Sequence, residues 1–138
     1  MTMIENEDYK LWVDSGLLFS VFKKPIDMTL EIAKGAIESR HSSSTNQHQY
    51  WCMDLRNLKD TSDEAKKYID EYGEEFLYAC AMIVNSHLMK FLVNVFNRMK
   101  KRKIPVKIFS SETAAVKWLN EMKEQKDKDY KTSIGCLN

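Results

Sequence analysis

The densest group of reactive side chains is Asp60-Thr61-Ser62-Asp63-Glu64. Two adjacent hydroxyls before a helix can accept a phosphate, or they can cap the helix by taking its orphan backbone N–H groups. A phosphate there would gain from the positive helix end. It would also meet Asp60, Asp63 and Glu64, with Lys59, Lys66 and Lys67 offsetting part of the repulsion. Ser62 with Ala65 three on is a bare cap. Thr61 with Glu64 three on makes a capping box, so Thr61 is the expected cap.

His41, His48 and His87 do not share a helix face, and the sequence dictates no carboxylate partner for them. Their spacing makes no metal site. The cysteines, Cys52, Cys80 and Cys136, are odd in number and widely spaced, without zinc-ligand spacing. Cys52 and Cys80 fall in apolar runs, where a small buried thiol is ordinary. No nucleophile elbow is present, and the four glycines are scattered rather than gathered in a phosphate loop. The basic run Arg98, Lys100, Lys101, Arg102, Lys103 follows an amphipathic stretch, where cations complement the helix dipole. Nothing in these patterns forces acid–base or nucleophilic chemistry, and no cofactor is implied.

Those residues need a scaffold, and composition bounds it. The chain has 138 residues, 43% hydrophobic and 30% charged, with a formal net charge of +1. Low hydrophobicity with high charge would mean disorder, and neither holds. A duplex-coating nucleic-acid binder would carry a basic excess, so no nucleic-acid partner is expected. No apolar run reaches the ~18–20 residues of a membrane helix, so no membrane span is expected. The acidic opening Met-Thr-Met-Ile-Glu-Asn-Glu-Asp lacks the basic and apolar regions of a secretory signal. A cytoplasmic setting is the expectation.

Leu11-Trp12-Val13 and Leu17 to Phe22 flank Asp14-Ser15-Gly16 and read as an opening hairpin. After Pro25, Asp27 is the expected cap of a helix carrying Ile32, Ala33, Ala36 and Ile37 and ending near Arg40. His41 to Gln49 is polar and reads as a loop. Tyr50 to Leu55 is a strand, and Ala65, Ile69, Tyr72 and Phe76 mark a helix face. Ala79 to Val84 is unbroken apolar, as in a strand covered on both faces. Leu88, Phe91, Leu92, Val95, Phe96 and Met99 follow helical spacing. Pro105 to Phe109 is a last strand, and Ala114, Ala115, Trp118, Leu119 and Met122 mark a last helix.

The order ββαβαβαβα predicts an α/β domain with a mixed sheet: an antiparallel opening hairpin, then mostly parallel strands. The expected layout is an N-terminal arm at 1–8, one domain at 9–125 and a flexible polar tail at 126–138. The expected core is Leu55, Met82, Val84, Phe91, Leu92, Val95, Ile108, Trp118 and Leu119. Ligands favour the carboxyl ends of strands in open parallel sheets. Here those ends carry Asp54 and Asn57, then Asn85, Ser86 and His87, then Ser110 and Ser111. With Asp60 they form the expected partner-binding edge.

Three segments carry a family resemblance: Trp51-Cys52-Met53-Asp54-Leu55, Ala79 to Ser86, and Ile108 to Leu119, with its Ser-Ser-Glu cap before Ala-Ala-x-x-Trp-Leu. The chain resembles the STAS-like (SpoIIAA-like) single-domain proteins, a fold shared by anti-sigma-factor antagonists and a lipid-transfer group. In the antagonists an Asp-Ser-Ser-Gly segment at a helix start accepts a phosphate on its first Ser. Asp60-Thr61-Ser62-Asp63 stands in the matching place, with Asp63 where Gly would be, which implies Thr61 and then Ser62 as regulatory phosphoacceptors. The combined expectation is a non-enzymatic regulatory module that binds a protein partner, with homodimerisation left open. A small apolar-ligand carrier is the alternative and would need a void beneath Phe91, Phe96 and Trp118. An enzyme would need a deep pocket holding Asp54, Asn85 and His87.

Overall fold

The computed structural model describes residues 3–44, 47–86 and 103–136, with residues 131–136 as backbone only. Strands β1 (Met3–Glu5), β2 (Tyr9–Asp14), β3 (Leu17–Phe22) and β4 (Ile26–Met28) precede helix α1 (Leu30–Ser43). Strands β5 (Gln49–Asp54) and β6 (Leu58–Thr61) then lead to helix α2 (Asp63–Tyr72). Strands β7 (Leu77–Ile83) and β8 (Val106–Phe109) and helix α3 (Glu112–Cys136) follow. The main sheet has the order β1-β2-β3-β5-β7-β8, and β4 pairs with β6 in a separate two-stranded sheet.

The opening hairpin and the strands after it follow the expected plan. β2 and β3 are antiparallel, whereas β3–β5, β5–β7 and β7–β8 are parallel. The hairpin closes on Ser15 and Gly16, whose φ values are 52° and 80°. Positive φ at both central residues gives the type I′ turn whose twist matches the strands. An L side chain is strained there, and a Cβ on Gly16 would also meet the Lys123 ammonium of α3. Gly16→Ala is expected to cost about 1 kcal/mol, read as a shift in urea midpoint at unchanged slope.

Several local expectations are corrected. Residues 3–5, expected within an arm, form β1 on the outer edge of β2, with Ile4 opposite Leu11. The expected loose tail at 126–138 continues α3 as helix to Cys136. β4 and β6, short and separated from helices by single polar residues, carry too little periodicity to be read as strands. Their pairing moves both helix caps by pulling residues into the strand. Met28 and Thr61 are register partners, so the cap of α1 is Thr29 rather than Asp27. The cap of α2 is Ser62 rather than Thr61, its Oγ taking the Ala65 N–H at 3.1 Å. The helix expected over Leu88 to Met99 lies outside the described residues.

Each crossover steps the sheet in one direction, so right-handed connections put α1 and α2 on the same face. Ala33 of α1 and Ala65 of α2 pack there with Leu11, Leu18, Trp51, Leu55, Cys80 and Val84. α3 covers the other face, setting Ala115 and Leu119 against Cys52, Ala79, Ala81 and Ile83. Three of these are alanines, which let the helix approach the strands closely. Of the expected core, Leu55, Val84 and Leu119 are buried. Met82, Ile108 and Trp118 are only partly buried, and Phe91, Leu92 and Val95 lie outside the described residues.

Candidate functional site

Parallel pairing of β5 and β7 brings their carboxyl ends to one edge of the sheet. Asp54 closes β5, and its carboxylate accepts two hydrogen bonds from Arg56, at 3.0 Å from Nε and 2.7 Å from Nη2. Burial pushes the Asp54 carboxyl up, but the Arg56 hydrogen bonds and charge outweigh that and hold it below its usual range. The Arg56 carbonyl in turn accepts from Asn85 Nδ2 at 3.1 Å, tying the end of β5 to the end of β7. Asn57 spans to the hairpin, its Nδ2 donating to the Phe22 carbonyl at 2.8 Å. Asp54 and Asn85 are thus joined through Arg56 by hydrogen bonds, while Asn57 is tied separately to the hairpin, and Ser86 follows Asn85 at the exposed surface. His87 lies outside the described residues. Ser111, from the end of β8, caps α3 by taking the Ala114 N–H at 3.2 Å.

Asp60, Thr61 and Ser62 belong to β6 and its exit. Asp60 Oδ1 accepts the Thr61 N–H at 2.8 Å. Thr61 is 9% exposed at its strand position, while Ser62 stands at the surface as the cap of α2. The two hydroxyls therefore differ in access. A turn from Leu55 to Leu58, closed by a 3.0 Å backbone bond, carries the chain from the polar edge into β6.

A second region went unread in the sequence. Between the α1–α2 side of the sheet and those helices lies a cavity of about 110 Å³, walled chiefly by Leu11, Trp51, Met53, Leu77, Cys80 and Met82. Neither Asp54 nor Asn85 lines it. Trp118 is on the opposite face, and Phe91 and Phe96 are outside the described residues. Beside the wall stands Arg40, completely buried. Its guanidinium stacks on Trp51 at 4.8 Å, and Nη2 donates to the Gly73 carbonyl at 3.1 Å. Burial lowers its pKa to about 10, so it stays charged at neutral pH. Among the described residues its Nε and Nη1 have no hydrogen-bond partner, and neither do the buried Gln49 Oε1 and Glu74 Oε1. One signal was available: Arg40 continues the buried stripe of Ala33 and Ile37, where a charge has no ordinary reason to be.

Arg40 also decides the state of His41. Arginine only donates, so the 3.3 Å contact from Nη2 makes His41 Nε2 an acceptor and places the ring proton on Nδ1. Burial and the Arg40 charge lower the His41 pKa, against smaller opposing effects of Glu75 and Glu38. A lowered folded-state pKa means stability is complete above the unfolded value of 6.5 and is lost as pH falls below it toward the folded value. Urea midpoints measured from pH 8 to pH 5 are expected to fall for the native chain. His41→Gln, which keeps an acceptor for Arg40, is expected to flatten that decline; an unchanged decline would remove His41 as its source.

Burial pushes the Cys52 and Cys80 thiols up to about 12, so both are neutral and poor nucleophiles at pH 7. Among the described residues no three His, Cys, Asp or Glu side chains gather to hold a metal ion. Among the described helices none is long and apolar enough to cross a membrane.

Residues 11–123 match the model of a family described as a domain of unknown function, DUF7793. No curated protein matches the chain. Among solved structures, an uncharacterised protein of the DUF3478 family from Shewanella loihica PV-4, described as having a SpoIIAA-like fold, superposes with a TM-score of 0.62. The two share 17% identity, and the match covers 86% of this chain and 99% of that one. The fold is SpoIIAA-like, as the sequence resemblance implied.

Proposed function

Because the chain belongs to the DUF7793 family, whose description states no activity, we propose its role from geometry: a non-enzymatic module that binds a protein partner through the polar edge of β5 and β7. The observation that carries this reading is the hydrogen-bonded chain Asp54–Arg56–Asn85 at the surface. Its polar groups are already held in place, so a partner would meet an ordered surface with little side-chain entropy left to lose. The edge lies outside the apolar cavity, and Asp54 is held ionised by Arg56 rather than tuned toward neutral pH. A general acid or base would need the opposite shift. Two buried, unpaired cysteines suit a reducing cytoplasm.

Ser62 is the regulatory hydroxyl in this proposal, because it is exposed at the start of α2 while Thr61 is buried. A phosphate on Ser62 would add about 1.5–2 negative charges beside its chain neighbours Asp60 and Asp63.

The test uses the intact chain with a photo-crosslinker at Asn57. Arg56→Ala with Asn85→Ala is expected to keep the melting temperature within a few degrees and to lose the crosslinked partner. Full retention of crosslinking in the double variant would overturn the edge as the contact surface. Intact-mass analysis of native protein tests Ser62, and a species about 80 Da heavier that vanishes in Ser62→Ala is expected. Solution mass measurement decides whether the captured partner is a second copy.

A further inference from the structure

Protein interiors hold few voids larger than a water molecule, yet about 110 Å³ stands open under α1 and α2 among Leu11, Trp51, Met53, Cys80 and Met82. An apolar cavity of roughly 150 Å³ holds benzene, so this smaller one has room for roughly four or five non-hydrogen atoms. Its polar atoms can be accounted for one by one. Ser20 Oγ accepts the Trp51 indole N–H at 2.9 Å, and the Gly73 carbonyl accepts from Arg40 Nη2 at 3.1 Å. The Tyr9 hydroxyl pairs with Ser39 Oγ at 3.3 Å. Glu74 is the one charged residue among the described residues of the lining. Its Oε2 accepts the Lys103 N–H at 3.1 Å, whereas its Oε1 is buried and has no partner among the described residues. A buried acceptor left without a donor is costly, and native structures keep few of them.

We infer that this cavity binds a small neutral alcohol, its roughly three or four carbons set among the apolar side chains and its hydroxyl donating to Glu74 Oε1. The site is separate from the partner edge and stands or falls without it. Volume sets the size of the apolar body, and the unpartnered oxygen sets the head group. A carboxylate oxygen accepts and does not donate, so the ligand brings the proton. A single water, at about 30 Å³, would satisfy Oε1 and leave most of the cavity unfilled. Charge favours a neutral donor over an ammonium. Burial raises the Cys80 thiol pKa, the Arg40 charge lowers it and the Glu74 charge raises it, so both signs of charge reach this part of the wall. With those charges opposed, an ion entering the apolar cavity would lose its hydration with too little attraction to offset the loss. A hydroxyl loses far less and gains a hydrogen bond to a carboxylate.

Butan-2-ol and butanone, which share a carbon skeleton and differ in whether the oxygen carries a proton, test the inference on the isotopically labelled full chain. The Trp51 indole N–H lies in the cavity wall and reports occupancy by its NMR shift. Butan-2-ol is expected to shift it saturably and to bind about tenfold tighter than butanone, the difference one hydrogen bond to a charged group makes. Glu74→Met, which removes the acceptor and keeps the bulk, is expected to bring the two ligands to equal affinity. Ala36→Leu, which fills part of the cavity, is expected to weaken both. The comparison on the native chain stands whether or not either variant folds. No saturable shift with butan-2-ol, or equal affinity for both ligands in the native chain, overturns the inference. So does folded Glu74→Met keeping the full preference, or folded Ala36→Leu binding both as the native chain does.

Discussion

Trp51→Ala is expected to lower the unfolding free energy by about 3–5 kcal/mol, the range for truncating a buried large aromatic. The ring is 5% exposed and does three jobs at once. It walls the cavity, it carries the Arg40 guanidinium at 4.8 Å, and its N–H satisfies Ser20 Oγ. Alanine would enlarge a void already present and leave the buried cation with less to stack upon. Trp51→Phe keeps most of the apolar surface and loses the hydrogen bond, so about 1–2 kcal/mol is expected. Urea unfolding followed by circular dichroism checks both, since the variants remove one of the three tryptophans and so alter the fluorescence signal itself. A loss below about 1 kcal/mol for Trp51→Ala would mean that the ring is not packed as described.

Leu119→Ala is expected to cost about 2–5 kcal/mol and to loosen α3 from the sheet. Leu119 and Ala115 are the buried residues through which α3 meets Ala79 and Ala81. The second half of the helix is polar and exposed through Tyr130, so it contributes little to holding the element. Hydrogen exchange should show protection lost along 112–122 in the variant before β5 and β7 are affected. The opposite change, Ala115→Leu, overpacks the close helix–sheet contact and is expected to cost about 1–3 kcal/mol. If Leu119→Ala left exchange along α3 unchanged, the helix would be held by something other than this contact.

Periodicity alone determined the frame of this protein. The bulky, aromatic-rich run Leu17 to Phe22, the unbroken apolar run around Ala79 to Val84 and the helical stripe through Ala115, Trp118 and Leu119 are each legible locally. The Asp14-Ser15-Gly16 turn is equally local, because positive φ selects its residues directly. Even the strand-end edge could be placed, since the carboxyl ends of parallel strands must meet once strand order is known.

Tertiary structure decided the rest. β4 and β6 have three and four residues, too short for a period, and they exist because they pair with each other across the chain. That pairing sets which hydroxyl caps each helix: it takes Thr61 into a strand and leaves Ser62 at the surface. Arg40 shows the same limit more sharply. Its position on the apolar stripe of α1 is visible in the sequence, but burial beside Trp51 depends on where β5 and the end of α2 arrive. A cavity has no sequence signature, because it is set by the side chains that fail to meet across elements far apart in the chain.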